Sequence, residues 1–172
     1  MSSTTTPSDT TNLFSVDSQI RYQKILVPHD GSIMSDKALS HAAYLSKISD
    51  AEIIVLNVIE DVVIPPITLL TFIKSDISME KAKEDLRNTI EGVVTRMLDK
   101  RIRQCKNAGV NKISYKIRTG KIVDEIVHQS EEMDFDLIVM ASSRITSYVR
   151  VLGSTVRKVV DSIRKPVLLI HE

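Results

Sequence analysis

The chain has 172 residues, of which 26% are charged and 4% are aromatic, and its formal net charge is +1. This length is typical of one domain that buries a substantial hydrophobic core. The balanced charge and the lack of Trp provide neither the basic surface nor the stacking platforms of nucleic-acid binders, and they give no sign of membrane-surface binding.

The chain begins with a Ser/Thr-rich stretch, residues 1–20, which has no apolar run and no export signal. We expect a mobile tail there and a single domain over residues 21–172. The most apolar segment, residues 51–73, is interrupted by acidic residues and by Pro65 and Pro66. It is therefore not expected to span a membrane.

The first half of the domain predicts a strand, a helix and a strand. KILVP at 24–28 is a short aliphatic strand that ends in the turn sequence HDGS. The segment 35–48 has helical apolar spacing, and Ser35 is expected to cap its start. The nearly continuous apolar run at 51–60 is typical of a strand covered on both faces.

The second half continues the alternation. Residues 60–78 are interpreted as a loop, and a long helix is expected from Met79 to about Ala108, closed by Gly109. KISYKIR at 112–118 predicts a half-exposed strand near a sheet edge. The remaining predicted elements are a helix at 121–133, a buried strand at 136–140, a helix at 154–163 and a last strand at 166–170.

This order predicts the α/β class, with a single open, doubly wound sheet of five parallel strands and helices on both faces. Ligands bind such sheets at the carboxyl ends of strands where the strand order reverses. Two strands end in unusual turn chemistry, VPHDGS at 27–32 and VMASSR at 139–144. If these strands are neighbours, Asp30 and Ala141 face one crevice.

A third short segment, Gly153-Ser154-Thr155, precedes the helix predicted at 154–163. One interpretation is that Gly153 breaks the chain and Ser154 caps the helix. The other is that the unpaired N–H groups and the positive end of the helix dipole bind a phosphate. The spacing alone leaves both interpretations open.

Six segments in this order together resemble the universal stress protein family: KILVPHDGS, IIVLNVIE, RTGKIVDEIV, DLIVMASS, LGSTVRKVV and KPVLLIHE. The resemblance implies a Rossmann-like sheet of the adenine nucleotide alpha hydrolase type, with strand order 3-2-1-4-5. It also implies a homodimer through the last strand, Val167–His171, whose unprotected apolar edge favours the same pairing. One branch of the family binds an adenine nucleotide between strands one and four.

The ATP-binding branch of the family carries a Gly-x-x-Gly-x9-Gly-Ser/Thr signature after strand four. Gly153 and Ser154 match its end, whereas Ala141 and Arg144 occupy the positions of its first two glycines, and the loop is one residue shorter. We therefore expect an altered phosphate end, at which the Arg144 guanidinium contacts phosphate. AMP or ADP is then at least as plausible a ligand as ATP, which Mg²⁺ would accompany.

The expected nucleotide site combines the carried-over positions with their neighbours. From the residues alone, Asp30 could equally form an Asx turn, and His29 is better explained as a solvent-edge turn histidine than as a catalytic base. No catalytic residue and no metal ligand is predicted. The candidate nucleotide-binding residues are Pro28, His29, Asp30, Val58, Met140, Ala141, Ser142, Arg144, Gly153, Ser154 and Thr155.

Three functions remain open at this point. The first is a non-enzymatic, adenine-nucleotide-binding regulatory or stress-response dimer. The second is a slow ATPase or nucleotidase, although neither a Walker loop nor an adenylation signature occurs. The third is a nucleotide-free dimeric scaffold. The single cysteine, Cys105, excludes an internal disulfide and fits a cytoplasmic location.

Overall fold

The computed structural model describes residues 21–60, 79–142 and 153–171. The predicted tail, most of the predicted 60–78 loop and Arg144 lie outside the described residues. Strands and helices alternate along the chain in the predicted order. The elements are β1 (Lys24–Pro28), α1 (Ile33–Ser49), β2 (Glu52–Ile59), α2 (Met79–Asn107), β3 (Ile113–Thr119), α3 (Ile122–Glu132), β4 (Leu137–Ala141), α4 (Ser154–Ser162) and β5 (Val167–Ile170).

The strands of the described ranges form one parallel sheet in the order β3-β2-β1-β4-β5. The predicted fold class and strand order are therefore confirmed. β1 lies at the centre, where Ile25 is paired with Ile53 of β2 on one side and with Leu137 of β4 on the other. The strand order reverses between β1 and β4, and a ligand site is therefore expected at the carboxyl ends of these two strands.

Two hydrophobic cores cover the two faces of the sheet, because successive strand residues point in opposite directions. Ile25 and Val27 face a core that includes Leu98 of α2 and the Ala38 side of α1. Leu26 faces the other core, which holds residues of α3 and α4 such as Ile126. The helices thus lie on both faces, as a doubly wound sheet requires.

The edge strands differ from the central ones in exposure. In β3 only Ile113 is buried and the other residues are partly or fully exposed, which fits the predicted half-exposed strand at a sheet edge. Within the described residues β5 pairs with β4 alone, and Leu168 is 36% exposed. The opposite backbone edge of β5 has no strand partner within the described part of the chain.

The long helix α2 ends as the sequence predicts. Gly109 has a φ of +91°, and the N–H groups of Gly109 and Val110 donate to the carbonyls of Lys106 and Cys105. These two hydrogen bonds define a Schellman motif. No helix in the described ranges is long and apolar enough to cross a membrane.

The start of α1 corrects one prediction. Ser32, and not Ser35, is the N-cap residue, and its Oγ accepts a 3.1 Å hydrogen bond from the Ser35 N–H. The helix begins at Ile33, earlier than the apolar spacing indicates. The Ser35 hydroxyl is therefore free to point back into the loop that follows β1.

Candidate functional site

A cleft of about 280 Å³ opens at the carboxyl ends of β1 and β4, where the strand order reverses. Its walls come from the loop after β1, the end of β2, the start of α3 and the start of α4. The residues that line it are Pro28, His29, Asp30, Ser32, Met34, Ser35, Leu56, Asn57, Val58, Ile122, Ile126, Met140, Ala141, Gly153, Ser154, Thr155 and Val156.

Most of the candidate residues meet in this cleft. Asp30 and Gly153, which lie in distant parts of the chain, contribute to the same lining. Ser142 is buried and is not part of the lining, and its N–H donates to the carbonyl of Ile170. Arg144 lies outside the described residues. The candidates brought together are Pro28, His29, Asp30, Val58, Met140, Ala141, Gly153, Ser154 and Thr155.

The sequence reasoning missed part of the lining. Ile122 and Ile126 of α3 form an apolar wall, which no motif indicates because a core-facing helix has the same pattern. Asn57 carried a usable signal, since it is a polar residue inside an apolar strand. The other missed residues are Ser32, Met34, Ser35, Leu56 and Val156.

Asp30 forms the Asx turn that the sequence suggested and also lines the cleft. Its Oδ1 accepts hydrogen bonds from the Ser32 N–H at 2.9 Å and from the Ser35 hydroxyl at 2.5 Å. The first bond forms an Asx turn, while the residue still lines the cleft. Partial burial would raise the pKa of Asp30, but the hydrogen bonds from Ser35 and Ser32 outweigh it and lower the pKa. The Asp30 carboxylate is therefore ionised, and it lies just after the carboxyl end of β1.

His29 is not the solvent-edge histidine that the sequence suggested. It is 3% exposed, and its Nδ1 accepts a 3.0 Å hydrogen bond from the Gly31 N–H. Nε2 must then carry the proton, which it donates to Asp36 Oδ1 at 2.9 Å. Burial lowers the pKa of His29, against the opposing effect of Asp36. Both ring nitrogens are engaged inside the protein, so His29 has a structural role here and is not placed as a base.

Two further contacts hold the loop after β1. Asn57 Nδ2 donates a 2.7 Å hydrogen bond to the His29 carbonyl from the side of β2. From α2, the Arg101 guanidinium binds both carboxylate oxygens of Asp36, at 2.5 and 3.0 Å. Burial would raise the pKa of Asp36, but the hydrogen bonds from Arg101 and His29 lower it. The loop after β1 and the first turn of α1 are thus held by hydrogen bonds from β2 and from α2.

The start of α4 forms the other end of the cleft. Gly153 is the N-cap residue, so the interpretation of Ser154 as the cap is wrong. No side chain among the described residues caps this terminus. A Cβ built on Gly153 would meet no atom of the described residues within 4 Å, apart from its chain neighbours. The first-turn amides of Ser154 and Thr155 therefore lie beside the cleft without a cap, an arrangement that suits an anion.

The charges of the cleft are few. Among the described residues that line it, Asp30 is the only ionised side chain, because His29 is neutral. No group of three or more potential metal-binding side chains lies close together in the described ranges. The lining is otherwise apolar or uncharged, with a carboxylate at one end and backbone amides at the other.

A parallel sheet with helices on both faces and a cleft at the reversal of strand order defines the doubly wound α/β class of ligand-binding proteins. Comparison with known families shows which family within this class the chain matches. The family model described as the universal stress protein family matches residues 21–171. The chain therefore belongs to the universal stress protein family, as the sequence resemblance predicted.

Two curated relatives illustrate the match. A universal stress protein of Methanothermobacter thermautotrophicus is 34% identical over 139 residues, covering 81% of this chain and 88% of that protein. A universal stress protein of Methanocaldococcus jannaschii is 26% identical over 156 residues, covering 88% and 96%. The similarity thus extends over nearly the whole of each relative.

Solved structures agree with the fold. The universal stress protein UspA from Lactobacillus plantarum superposes with a TM-score of 0.72 at 23% identity, covering 88% of this chain and 99% of that one. A universal stress protein in complex with cAMP gives 0.60 at 22% identity, covering 88% and 98%. One from Archaeoglobus fulgidus in complex with dAMP gives 0.57 at 18% identity, covering 87% and 98%.

Proposed function

We propose that this chain is a non-enzymatic adenine-nucleotide-binding protein that acts in the cytoplasm as a homodimeric regulator of the stress response. The observation that carries the proposal is the meeting of Asp30 and Gly153 in one cleft at the reversal of strand order. One end of this cleft suits a nucleoside and the other end suits a phosphate. AMP or ADP is at least as plausible a ligand as ATP.

The nucleoside end of the cleft has apolar walls and, among the described residues, a single carboxylate. Val58 and Met140 come from the ends of β2 and β4, the two strands that flank β1, and Ile122 comes from the start of α3. Apolar walls of this kind suit a flat base, and a few placed polar groups then fix its orientation. Asp30, held ionised by Ser32 and Ser35, is an acceptor for the hydroxyl or amino donors of a nucleoside.

The phosphate end of the cleft is the start of α4. The uncapped amides there would donate to phosphate oxygens, and the helix dipole adds about 0.3–1 kcal/mol for each well-placed negative charge. Arg144, the expected phosphate ligand, lies outside the described residues. We propose a nucleoside monophosphate or diphosphate for this end of the cleft, with Mg²⁺ relevant only to ATP.

Relatives support the ligand class. Structural neighbours of the same family have been solved with cAMP and with dAMP, both of which contain an adenine and one phosphate group. Their identity to this chain is low, so the proposal depends on the cleft itself. The ligand class and the geometry of the cleft point to the same kind of molecule.

The test has two parts. Purified protein is first denatured, and released adenine nucleotide is sought by chromatography and mass spectrometry. Titration calorimetry then compares adenosine, AMP, ADP and ATP. We expect binding of AMP at least as tight as that of ATP. Gly153→Val should weaken AMP binding far more than adenosine binding, because its side chain would occupy the space beside the α4 amides.

Asp30→Asn should weaken every ligand that contains adenosine, since the side chain loses its charge but nearly keeps its shape. Asp85→Asn, at an exposed position on α2, is the matched control and should bind as the wild type does. Absence of binding for all four ligands would refute the proposal and favour the nucleotide-free scaffold. Multiple-turnover phosphate release that is lost in Asp30→Asn would instead favour the slow nucleotidase.

A further inference from the structure

The loop between β1 and α1 has a second face, which contacts the long helix α2 and not the cleft. The N–H and the carbonyl of Gly31 both form hydrogen bonds on this second face. Its N–H donates to His29 Nδ1 at 3.0 Å, and its carbonyl accepts from Arg101 Nη2 at 3.3 Å. Gly31 lies between Asp30 and Ser32, which line the cleft.

The same two side chains are joined through Asp36. Arg101 donates to both of its carboxylate oxygens, while His29 Nε2 donates to Oδ1. The Arg101 side chain is 17% exposed and the Asp36 side chain is 42% exposed. A bidentate ion pair of this kind is geometrically specific, because the planar guanidinium fits the carboxylate in one orientation.

Steric contact adds to this hold. Gly31 has a φ of +89°, and a Cβ built on it would lie 2.9 Å from the sulfur of Met97. Met97 is one helical turn before Arg101, whose Nη1 donates to the Met97 carbonyl at 3.3 Å. One turn of α2 therefore packs against Gly31 and also bonds to it.

We propose that Arg101 is a positioning residue of the nucleotide cleft, which fixes the Asp30 carboxylate through Asp36, His29 and the backbone of Gly31. This inference rests on the proposed function and deepens it. The loop presents Asp30 and Ser32 to the ligand on one face and is clamped by α2 on the other. The helix thereby sets the geometry of a site that Arg101 itself does not line.

An ion pair that only stabilised the fold would change the free energy of unfolding and not the pH dependence of AMP affinity. The pH dependence of AMP binding therefore distinguishes a positioning role from a structural one. The charged groups that act on the His29 ring are Arg101 on α2, Asp36 on α1 and Asp30 in the loop. Removal of the Arg101 cation leaves two carboxylates near the ring, which raises the pKa of His29. A protonated Nδ1 cannot accept from the Gly31 N–H, so the loop should lose its geometry as the pH falls.

The experiment measures AMP affinity by titration calorimetry at pH 8 and pH 6. Arg101→Met retains most of the aliphatic part of the side chain but removes the charged guanidinium. We expect it to weaken AMP binding about tenfold, within the range for residues that act through a network, and to weaken it more at pH 6 than at pH 8. Arg103→Met, at an exposed position on the same helix, is the matched control and should match the wild type at both pH values.

Arg101→Lys keeps the cation and most of the packing, and it is the second variant if Arg101→Met does not fold. It should lose several-fold in affinity but show little added pH dependence. If the wild type binds AMP and the folded Arg101→Met or Arg101→Lys variant binds it with the same affinity, the role of Arg101 is overturned. The proposed function would stand in that case. A wild-type protein that binds no adenine nucleotide would refute the proposed function, and this role with it.

Discussion

The side-chain amide of Asn57 and the backbone carbonyl of His29 are joined by a 2.7 Å hydrogen bond that ties the end of β2 to the loop after β1. Asn57 is 6% exposed and stands in a strand that is otherwise almost wholly apolar. A buried amide is tolerated there because it satisfies a carbonyl that the sheet ladder leaves at the strand end. The same amide lines the candidate cleft.

Replacement of Asn57 by Ala should lower the free energy of unfolding by about 1–3 kcal/mol, because the buried His29 carbonyl loses its donor. Urea unfolding at neutral pH measures this change. Asn111→Ala is the matched control, since Asn111 is exposed outside the elements, and it should stay within about 0.5 kcal/mol of the wild type. Equal effects of the two substitutions would contradict the role assigned to Asn57.

Loss of the N-cap should destabilise α1. Ser32→Ala removes the oxygen that accepts from the Ser35 N–H, and we expect a loss of about 1 kcal/mol in urea unfolding. Ser40→Ala provides the contrast, because Ser40 is an exposed residue inside the same helix and Ala has the higher helix propensity. The two changes should have opposite signs, and a stabilising Ser32→Ala would show that the cap is elsewhere.

Stability should depend on pH through His29. Its pKa is lowered in the folded state by burial, so the unfolded chain binds a proton that the folded chain does not, from about 6.5 down to the folded pKa. The free energy of unfolding should therefore be constant above about pH 7 and decrease as the pH falls below about 6.5. Asp30 and Asp36, whose pKa values are also lowered, lose their contribution only below about pH 5.

Urea unfolding between pH 8 and pH 5.5 separates these groups. His29→Gln should reduce the overall stability, because the contacts of the buried ring are lost. It should also flatten the decrease below pH 6.5, because Gln binds no proton in the unfolded chain. His41→Gln, at an exposed position on α1, should keep the wild-type pH profile. A His29→Gln profile as steep as that of the wild type would assign the decrease to another group.

The proposed homodimer can be tested at β5. A Lys side chain on an edge strand opposes pairing with another strand, so Leu168→Lys should convert the dimer to a monomer in light scattering after size exclusion. Ile48→Lys, at an exposed apolar position on α1, should leave the dimer intact. A wild-type monomer, or a dimer that survives Leu168→Lys and dissociates in Ile48→Lys, would contradict pairing through Val167–His171.

The thiol of Cys105 offers a simple check on the core beneath α2. Burial raises its pKa, and the nearby Asp36 carboxylate acts in the same direction. Thiolate is the reactive form, so the native protein should react with a disulfide reagent much more slowly than the urea-unfolded protein at pH 8. Comparable rates in the two states would mean that α2 opens easily at this position.

The order and type of the described elements could be predicted from the sequence, because apolar periodicity depends on which faces of a helix or strand are covered. The half-exposed strand β3 was predicted from the same periodicity, and Gly109 was predicted because glycine readily adopts the positive φ that ends a helix. The cap of α1 was assigned wrongly, since Ser32 and Ser35 are both suitable residues and only the helix start distinguishes them. The solvent-edge interpretation of His29 failed because the ring is buried and bonded to Asp36 of α1, whose carboxylate also binds Arg101 of α2.

By itself, the sequence determined the alternation of strands and helices, the parallel sheet and the segments that carry the family motifs, because all of these follow from local patterns. Tertiary structure alone decided what surrounds each polar residue. Asp30 faces a cleft that also contains the start of α4, while Arg101 and Asn57 hold the loop beside it from two other layers. Such contacts join residues far apart in the chain, and their distances depend on how the layers pack.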